Sequence, residues 1–248
     1  MTMTESIRLA KRVAELRACS RSEAERIIAG GWVKVDGVLV EEPQFRVADQ
    51  QIEIDPHANP AETEPVTLLL HKPASLGTDL ILDQASVAER LNIVNLWSED
   101  ASGMHPLKMH FNQLTACAPL EAEASGLVVY TQDWRIARKL TEDAATVEHE
   151  LVVEVAGDLA ACKTPEGIKR LNRGVAFNGR TPTSLKVSWQ NESRLRIALK
   201  GAQVGHVAKL CEAVGLQVLT MKRLRLGGVS MGKVPVGQWR YLRAKERF

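Results

Sequence analysis

The chain opens with two stretches in which apolar residues recur at helical spacing. Leu9, Val13 and Leu16 share one face of a segment from Ile7 to Arg17, with Arg8, Lys11 and Arg12 gathered on another. Ser20 then offers an N-cap, and Glu23 completes a capping box ahead of the apolar positions Ala24, Ile27 and Ile28. Gly30 and Gly31 stop this second helix. The period then changes to an alternating one. Trp32-Val33-Lys34-Val35, the turn pair Asp36-Gly37 and Val38-Leu39-Val40 spell a hairpin, and a third short strand follows near Gln51 to Ile54. From His57 to Pro65 no apolar residue other than alanine occurs and two prolines disfavour regular structure, which predicts a semi-rigid linker.

Beyond Pro65 strand and helix patterns are intermingled. Strands are predicted at Val66–Leu70, Leu127–Thr131, Glu150–Val155, Leu185–Trp189 and Leu195–Leu199, with more in the tail after Val218. Helices are predicted at Trp134–Leu140 and at Val204–Val214, the latter ended by Gly215. The expected architecture is α+β. A small helical and hairpin domain occupies residues 1–56, a linker 57–65, and a domain built on a mixed, largely antiparallel sheet 66–248.

Composition narrows the class. The 248 residues are 45% apolar and 25% charged, ordinary for a chain that buries a core. The longest apolar runs are too short to cross a bilayer and the first thirty residues are charged rather than signal-like, so a cytoplasmic location without membrane contact is expected. Cys19, Cys117, Cys162 and Cys211 show no C-x-x-C pairing, which suggests reduced core thiols.

The net charge of +2 conceals an asymmetry. Residues 59–158 hold 6 Lys and Arg against 16 Asp and Glu, net −10, whereas residues 159–248 hold 18 against 4, net +14. Residues 7–34 carry +4. Blocks of one sign suggest a polyanionic partner, because phosphate contacts release counterions. A solvated basic face is the plainer alternative.

The stretch R-L-A-K-R-V-A-E-L-R-A-C-S-R-S-E-A-E-R-I-I-A-G-G-W-V-K-V-D-G resembles the RNA-binding domain named after ribosomal protein S-four. That resemblance implies RNA-facing positions at Arg8, Lys11, Arg12, Ser20, Arg21, Arg26 and Lys34. The second domain resembles the ribosomal RNA pseudouridine synthases that carry this N-terminal domain. The resemblance rests on His71-Lys72-Pro73, where the family has Asn-Lys-Pro, and on C-E-A-V-G with M-K-R-L-R-L and V-P-V-G-Q-W-R near the end. It implies a structured RNA partner, ribosomal RNA, rather than DNA, no cofactor, no metal, and further RNA-facing cations at Lys209, Arg223 and Arg225. A monomer is the expectation, although nothing in the sequence fixes the oligomeric state.

In that family an aspartate in G-R-L-D-x-x-T-x-G-L is the nucleophile that frees a uracil base before it is rejoined through carbon. Here the frame reads Ala118-Pro119-Leu120-Glu121-Ala122-Glu123-Ala124-Ser125-Gly126-Leu127. Glu121 stands at the nucleophile's position and Pro119 at the arginine's. One extra methylene moves the carboxylate by roughly 1 Å, enough to cost about a hundredfold in rate. Without the adjacent cation, a half-buried glutamate is also expected to be protonated more readily. The family's Lys-x-Tyr becomes His149-Glu150-Leu151, which removes a stacking ring worth about 1–3 kcal/mol per base. Its N-R-Q-V-R-R-M-C becomes Val204 to Cys211, which keeps only Lys209.

These changes point to an RNA-binding relative with weak or absent catalysis. Two alternatives stand beside it: an active isomerase using Glu121, and a ribosome assembly factor or protein-binding adaptor. His105, His110 and Cys117 match no common zinc spacing, and Ser125-Gly126 lacks the G-x-S-x-G elbow of hydrolases.

Overall fold

In the computed structural model, residues 6–60, 64–74, 91–179 and 184–248 are described, so part of the 57–65 linker lies outside them. The chain divides into two compact units, residues 1–65 with 105–113, and residues 66–104 with 114–248. The first unit therefore gains a later segment that a single cut after residue 56 does not anticipate.

In the first unit, β1 (Ile7–Arg8) leads into α1 (Leu9–Arg17) and α2 (Arg21–Ala29). Ile7 and Arg8 are extended rather than the first turn of the helix, because they pair with β4 (Arg46–Val47). The capping box forms: Ser20 Oγ accepts the Glu23 N–H at 3.2 Å and the Glu23 carboxylate accepts the Ser20 N–H at 2.8 Å. β2 (Val33–Val35), β3 (Val38–Leu39) and β5 (Ile52–Ile54) make a small sheet with β2 in the middle. Asp36 and Gly37 both take positive φ, 50° and 79°, as a tight hairpin turn of right-handed strands requires. Leu9, Ala10, Val13, Ala24, Ile27, Ile28 and Val33 form the core. Leu16, expected among them, lies in the last turn of α1 and is 50% exposed.

The segment from residues 105–113 is held to this unit by polar contacts. The Lys108 N–H donates to Glu41 at 2.8 Å, and the Lys108 ammonium pairs with the Glu42 carboxylate.

The second unit is built on one sheet. Its strands are β6 (Thr67–Lys72), β7 (Thr115–Cys117), β8 (Ser125–Thr131), β9 (Glu148–Gly157), β10 (Leu185–Trp189), β11 (Arg194–Lys200), β12 (Leu216–Leu226), β13 (Val229–Ser230) and β14 (Trp239–Tyr241). Among the described residues their order is β10-β11-β9-β12-β8-β6-β14, with β7 on β8 and β13 on β12. The β12–β8 pair is parallel and its neighbours in this order are antiparallel, which is the mixed, largely antiparallel sheet expected from the sequence.

The helices are α3 (Trp134–Thr141), α4 (Leu159–Lys163), α5 (Pro165–Arg173) and α6 (His206–Glu212). α6 is shorter than the predicted Val204–Val214, because Gly205 at φ 86° starts it late. Leu69, Leu127, Val129, Leu140, Leu226 and Val229 pack in one core beneath α3.

Two features of this sheet matter for function. Gly126 takes φ 114°, and a Cβ there would lie 2.2 Å from the Arg223 carbonyl oxygen, so only glycine lets β8 and β12 meet. In addition, the acidic and basic blocks of the sequence meet inside the sheet. Acidic β9 lies between basic β11 and β12. Arg225 pairs with Glu148 and Glu150, Arg196 with Glu150, and Arg194 with Glu154. Part of the charge asymmetry that suggested an external polyanion is thus answered internally. It gives no separate acidic face for a basic protein partner at these positions.

Candidate functional site

Glu121 sits in the loop between β7 and β8, which turns tightly where the Ala124 N–H donates to the Glu121 carbonyl at 3.1 Å. Its half-buried side chain is tied to the loop before α6: Oε1 accepts the Gly205 N–H at 2.9 Å. Two buried cations flank it. Lys72, at the end of β6, donates to the carbonyls of Ala122 at 2.8 Å, Ala124 at 2.7 Å and Glu121 at 3.3 Å. Arg223, on β12, is 1% exposed and donates to the carbonyls of Leu127 at 2.7 Å and Pro119 at 3.2 Å, and to that of Ala118.

The electrostatics follow from this burial. Desolvation drives the Arg223 guanidinium down to about 9, with Glu121 pulling against it. Desolvation also lowers Lys72; Glu121 opposes the shift and Arg223 adds to it. The expectation that Glu121 would lack a cationic neighbour is therefore corrected. The cations come from β6 and β12 instead of position 119, and both spend their donors on the carbonyls that shape the loop.

The expected RNA contacts at Arg223 and Arg225 are corrected as well. Arg223 is sealed inside the fold, and Arg225 is occupied by Glu148 and Glu150. Lys209 is exposed on α6. Leu151, expected from the resemblance to replace a tyrosine, is buried and lies directly opposite Arg223 in the strand register.

Beside this loop opens a cleft of about 820 Å³. Pro119, Leu140, His149, Phe177, Lys200 and His206 are among the residues around it, and Glu121, Leu151, Lys72 and Arg223 are not. Burial first, then the charge of Arg223, pushes His149 down to about 3, so its ring is neutral at physiological pH. His149, read in the sequence as a lost lysine, thus reappears as a wall of the cleft.

The first unit carries a second site. A groove of about 620 Å³ is lined by Arg8, Lys11, Arg21 and Arg46, with Glu15 and Cys19 also on its walls. Arg8 and Arg46 face each other across β1 and β4, two like charges held side by side. Arg46 was missed in the sequence because it lies outside the two helices; the pairing of β4 with β1 brings it in. Arg12, Arg26 and Lys34 are exposed but do not line this groove. The Ser20 hydroxyl is taken by its helix cap.

The comparisons with known proteins agree with both units. Residues 7–51 match the S4 domain. The chain is 26% identical to the dual-specificity RNA pseudouridine synthase RluF of Salmonella typhi, across 98% of this chain and 78% of that one. This chain is homologous to the RNA pseudouridine synthases. An uncharacterized RNA pseudouridine synthase of Aquifex aeolicus is 25% identical and matches 97% of this chain and 94% of its own. A crystal structure of a pseudouridylate synthase, 17% identical, superposes with a TM-score of 0.57 over 95% of this chain and 96% of that chain, which establishes the fold. Among the described residues, no group of three or more His, Cys, Asp or Glu is placed to hold a metal, and no helix is long and apolar enough to cross a membrane.

Proposed function

We propose that this protein binds structured RNA, ribosomal RNA by the resemblance of its sequence, and isomerises uridine weakly or not at all. The observation that carries the reading is the state of Glu121. By the resemblance it stands at the position of the nucleophilic aspartate with one methylene more, and its carboxylate accepts the Gly205 N–H. It does not line the adjacent cleft, and Leu151 leaves no aromatic ring to stack on a target base. RNA affinity is assigned to the groove of Arg8, Lys11, Arg21 and Arg46, supported by exposed cations without a buried counter-charge, with Arg12, Arg26, Lys34 and Lys209 as outlying contacts. Ser20 contributes by holding α2 in place.

The test is to mix purified protein with unmodified ribosomal RNA, measure binding at about 50 and about 200 mM salt, and map pseudouridine in the same samples. Salt-sensitive binding without new pseudouridine is expected. Absence of binding at the lower salt contradicts the reading. The alternative, an active isomerase using Glu121, is favoured by Lys72 and Arg223 flanking the carboxylate. It requires that Glu121→Ala abolish pseudouridine formation while RNA affinity stays unchanged.

A further inference from the structure

Lys72, Arg223 and Arg225 spend their charge inside the second unit. The cations after β14 do not. From Arg240 to Phe248 the chain holds four Lys and Arg against one Glu. That carboxylate is already taken: Arg240, 3% exposed, pairs with Glu246 through two hydrogen bonds of 2.7 Å. Burial alone would raise the Glu246 carboxyl, and the bonds from Arg240 hold it below its usual value, so it is an anion at neutral pH. Arg243, Lys245 and Arg247 are exposed, and among the described residues none of their side chains pairs with a carboxylate.

Like charges this close in the chain repel, and in a free segment they would spread apart. This segment is held. The Glu246 N–H donates to the Arg243 carbonyl at 3.0 Å, closing a turn with Ala244 and Lys245 at its tip, and the Glu246 carboxylate accepts the Arg243 N–H at 2.9 Å. Arg240 also donates to the Ser230 carbonyl at 2.8 Å, which ties the turn to β13. The Gly228 N–H donates to the Arg247 carbonyl at 3.0 Å. A Cβ on Gly228 would lie 2.6 Å from that oxygen, and one on Gly227 would lie 2.7 Å from the Phe248 carbonyl carbon, so the turn between β12 and β13 is shaped to seat this backbone. The Arg247 guanidinium is steadied by the Ala244 and Glu246 carbonyls, both at 2.6 Å. Three cations are thus fixed near one another, and the one carboxylate among them faces Arg240. Groups fixed in advance lose less freedom on binding, and a row of cations without counter-charge suits a chain of phosphates.

We propose that the Arg240–Glu246 clamp presents Arg243, Lys245 and Arg247 as a further RNA-binding surface, one that grips the phosphate backbone without reading bases. The inference rests on the reading of the chain as an RNA-binding protein and adds a contact in the second unit to the groove of the first.

Binding of the full chain to unmodified ribosomal RNA is titrated at several salt concentrations between about 50 and about 200 mM. The double variant Arg243→Gln with Lys245→Gln removes two exposed charges and leaves the clamp. It is expected to melt as wild type does, to bind at least about tenfold more weakly at the lowest salt, and to lower the slope of log affinity against log salt by about 2. Glu246→Gln raises the net charge by one yet loosens the clamp. It is expected to weaken binding by at least about threefold, whereas diffuse attraction alone would strengthen it. Melting curves check the fold of both, and if Glu246→Gln does not fold the double variant decides alone. Tighter binding by folded Glu246→Gln, or an affinity and slope unchanged in the double variant, overturns this surface while salt-sensitive binding by wild type upholds the proposed function. Absence of wild-type binding at the lowest salt overturns both. Sedimentation with vesicles of anionic phospholipid is run in parallel: capture of wild type but not of the double variant, with RNA binding equal in the two, assigns the segment to a lipid surface and overturns the inference.

Discussion

The two units use positive charge in opposite ways. In the first, Arg8, Lys11, Arg21 and Arg46 line an open groove, with Arg8 and Arg46 side by side in the strand register. Arg21 pairs with the Glu25 carboxylate at 3.0 Å and Arg46 donates to the Ser6 carbonyl at 2.9 Å, but all four side chains stay exposed to an anion from outside. In the second, Lys72 and Arg223 are buried and their donors are spent on backbone carbonyls around Glu121. Cations of the first kind make affinity and add little to stability; those of the second kind make the fold and are withheld from a ligand. A count of charges in the sequence treats them alike.

The largest expected effect breaks the second unit outright. Gly126→Ala forces a Cβ within 2.2 Å of the Arg223 carbonyl oxygen and holds alanine at φ 114°. A loss of more than about 4 kcal/mol is expected, read as collapse of the denaturant midpoint. Arg223→Met comes next. It leaves the carbonyls of Ala118, Pro119 and Leu127 without their donor. The expected cost is roughly 3 kcal/mol or more by chemical denaturation. An Arg223→Met protein as stable as wild type would mean that the guanidinium is not the organiser of the Glu121 loop.

The groove is expected to respond in the opposite sense. Lys11→Glu and Arg46→Glu should each shift stability by no more than about 0.5 kcal/mol. Each should also weaken RNA binding and lower the slope of log affinity against log salt by about 1. Binding titrations at several salt concentrations check this. Equal slopes in wild type and both variants would remove the groove from the interface.

A pH series sharpens the contrast within the second unit. His149 is neutral in the fold down to about 3, against 6.5 as its ordinary value. The unfolded chain therefore binds the extra proton first. Stability from this group is complete above about 6.5 and is lost as pH falls toward about 3, at up to about 1.4 kcal/mol per pH unit. Unfolding curves at pH 7, 5.5 and 4.5 should converge less steeply in His149→Leu than in wild type. Ser20→Ala acts on the first unit alone: it removes the α2 cap and should cost about 1 kcal/mol in that unit's melting.

Much of the fold was legible because local chemistry decided it. The capping box at Ser20 and Glu23, the Asp36-Gly37 turn and the strand at Leu185–Trp189 each depend on neighbours in the chain, and each forms as the pattern indicates. α4 and α5 were not anticipated, since α4 has only five residues and the nine of α5 carry just two large apolar positions, Ile168 and Leu171.

The electrostatics around Glu121 were not legible in the sequence. The Gly126-Leu127 frame singled Glu121 out as the candidate, but not its surroundings. Its cations come from strands 49 residues before it and about 100 after it, contacts that only the β6–β8–β12 arrangement creates. Similarly, the basic block of the last third suggested an open surface, whereas β9 supplies Glu148, Glu150 and Glu154 to several of its arginines.

The central proposal is that the second unit has a synthase fold around a carboxylate that turns over uridine weakly or not at all. The most direct measurement is single-turnover pseudouridine formation on unmodified ribosomal RNA with protein in excess, comparing wild type with Glu121→Ala at equal RNA occupancy. Wild type is expected to show little or no pseudouridine, indistinguishable from the variant, while both bind the RNA. Pseudouridine at one defined position that forms with wild type and vanishes with Glu121→Ala would contradict it.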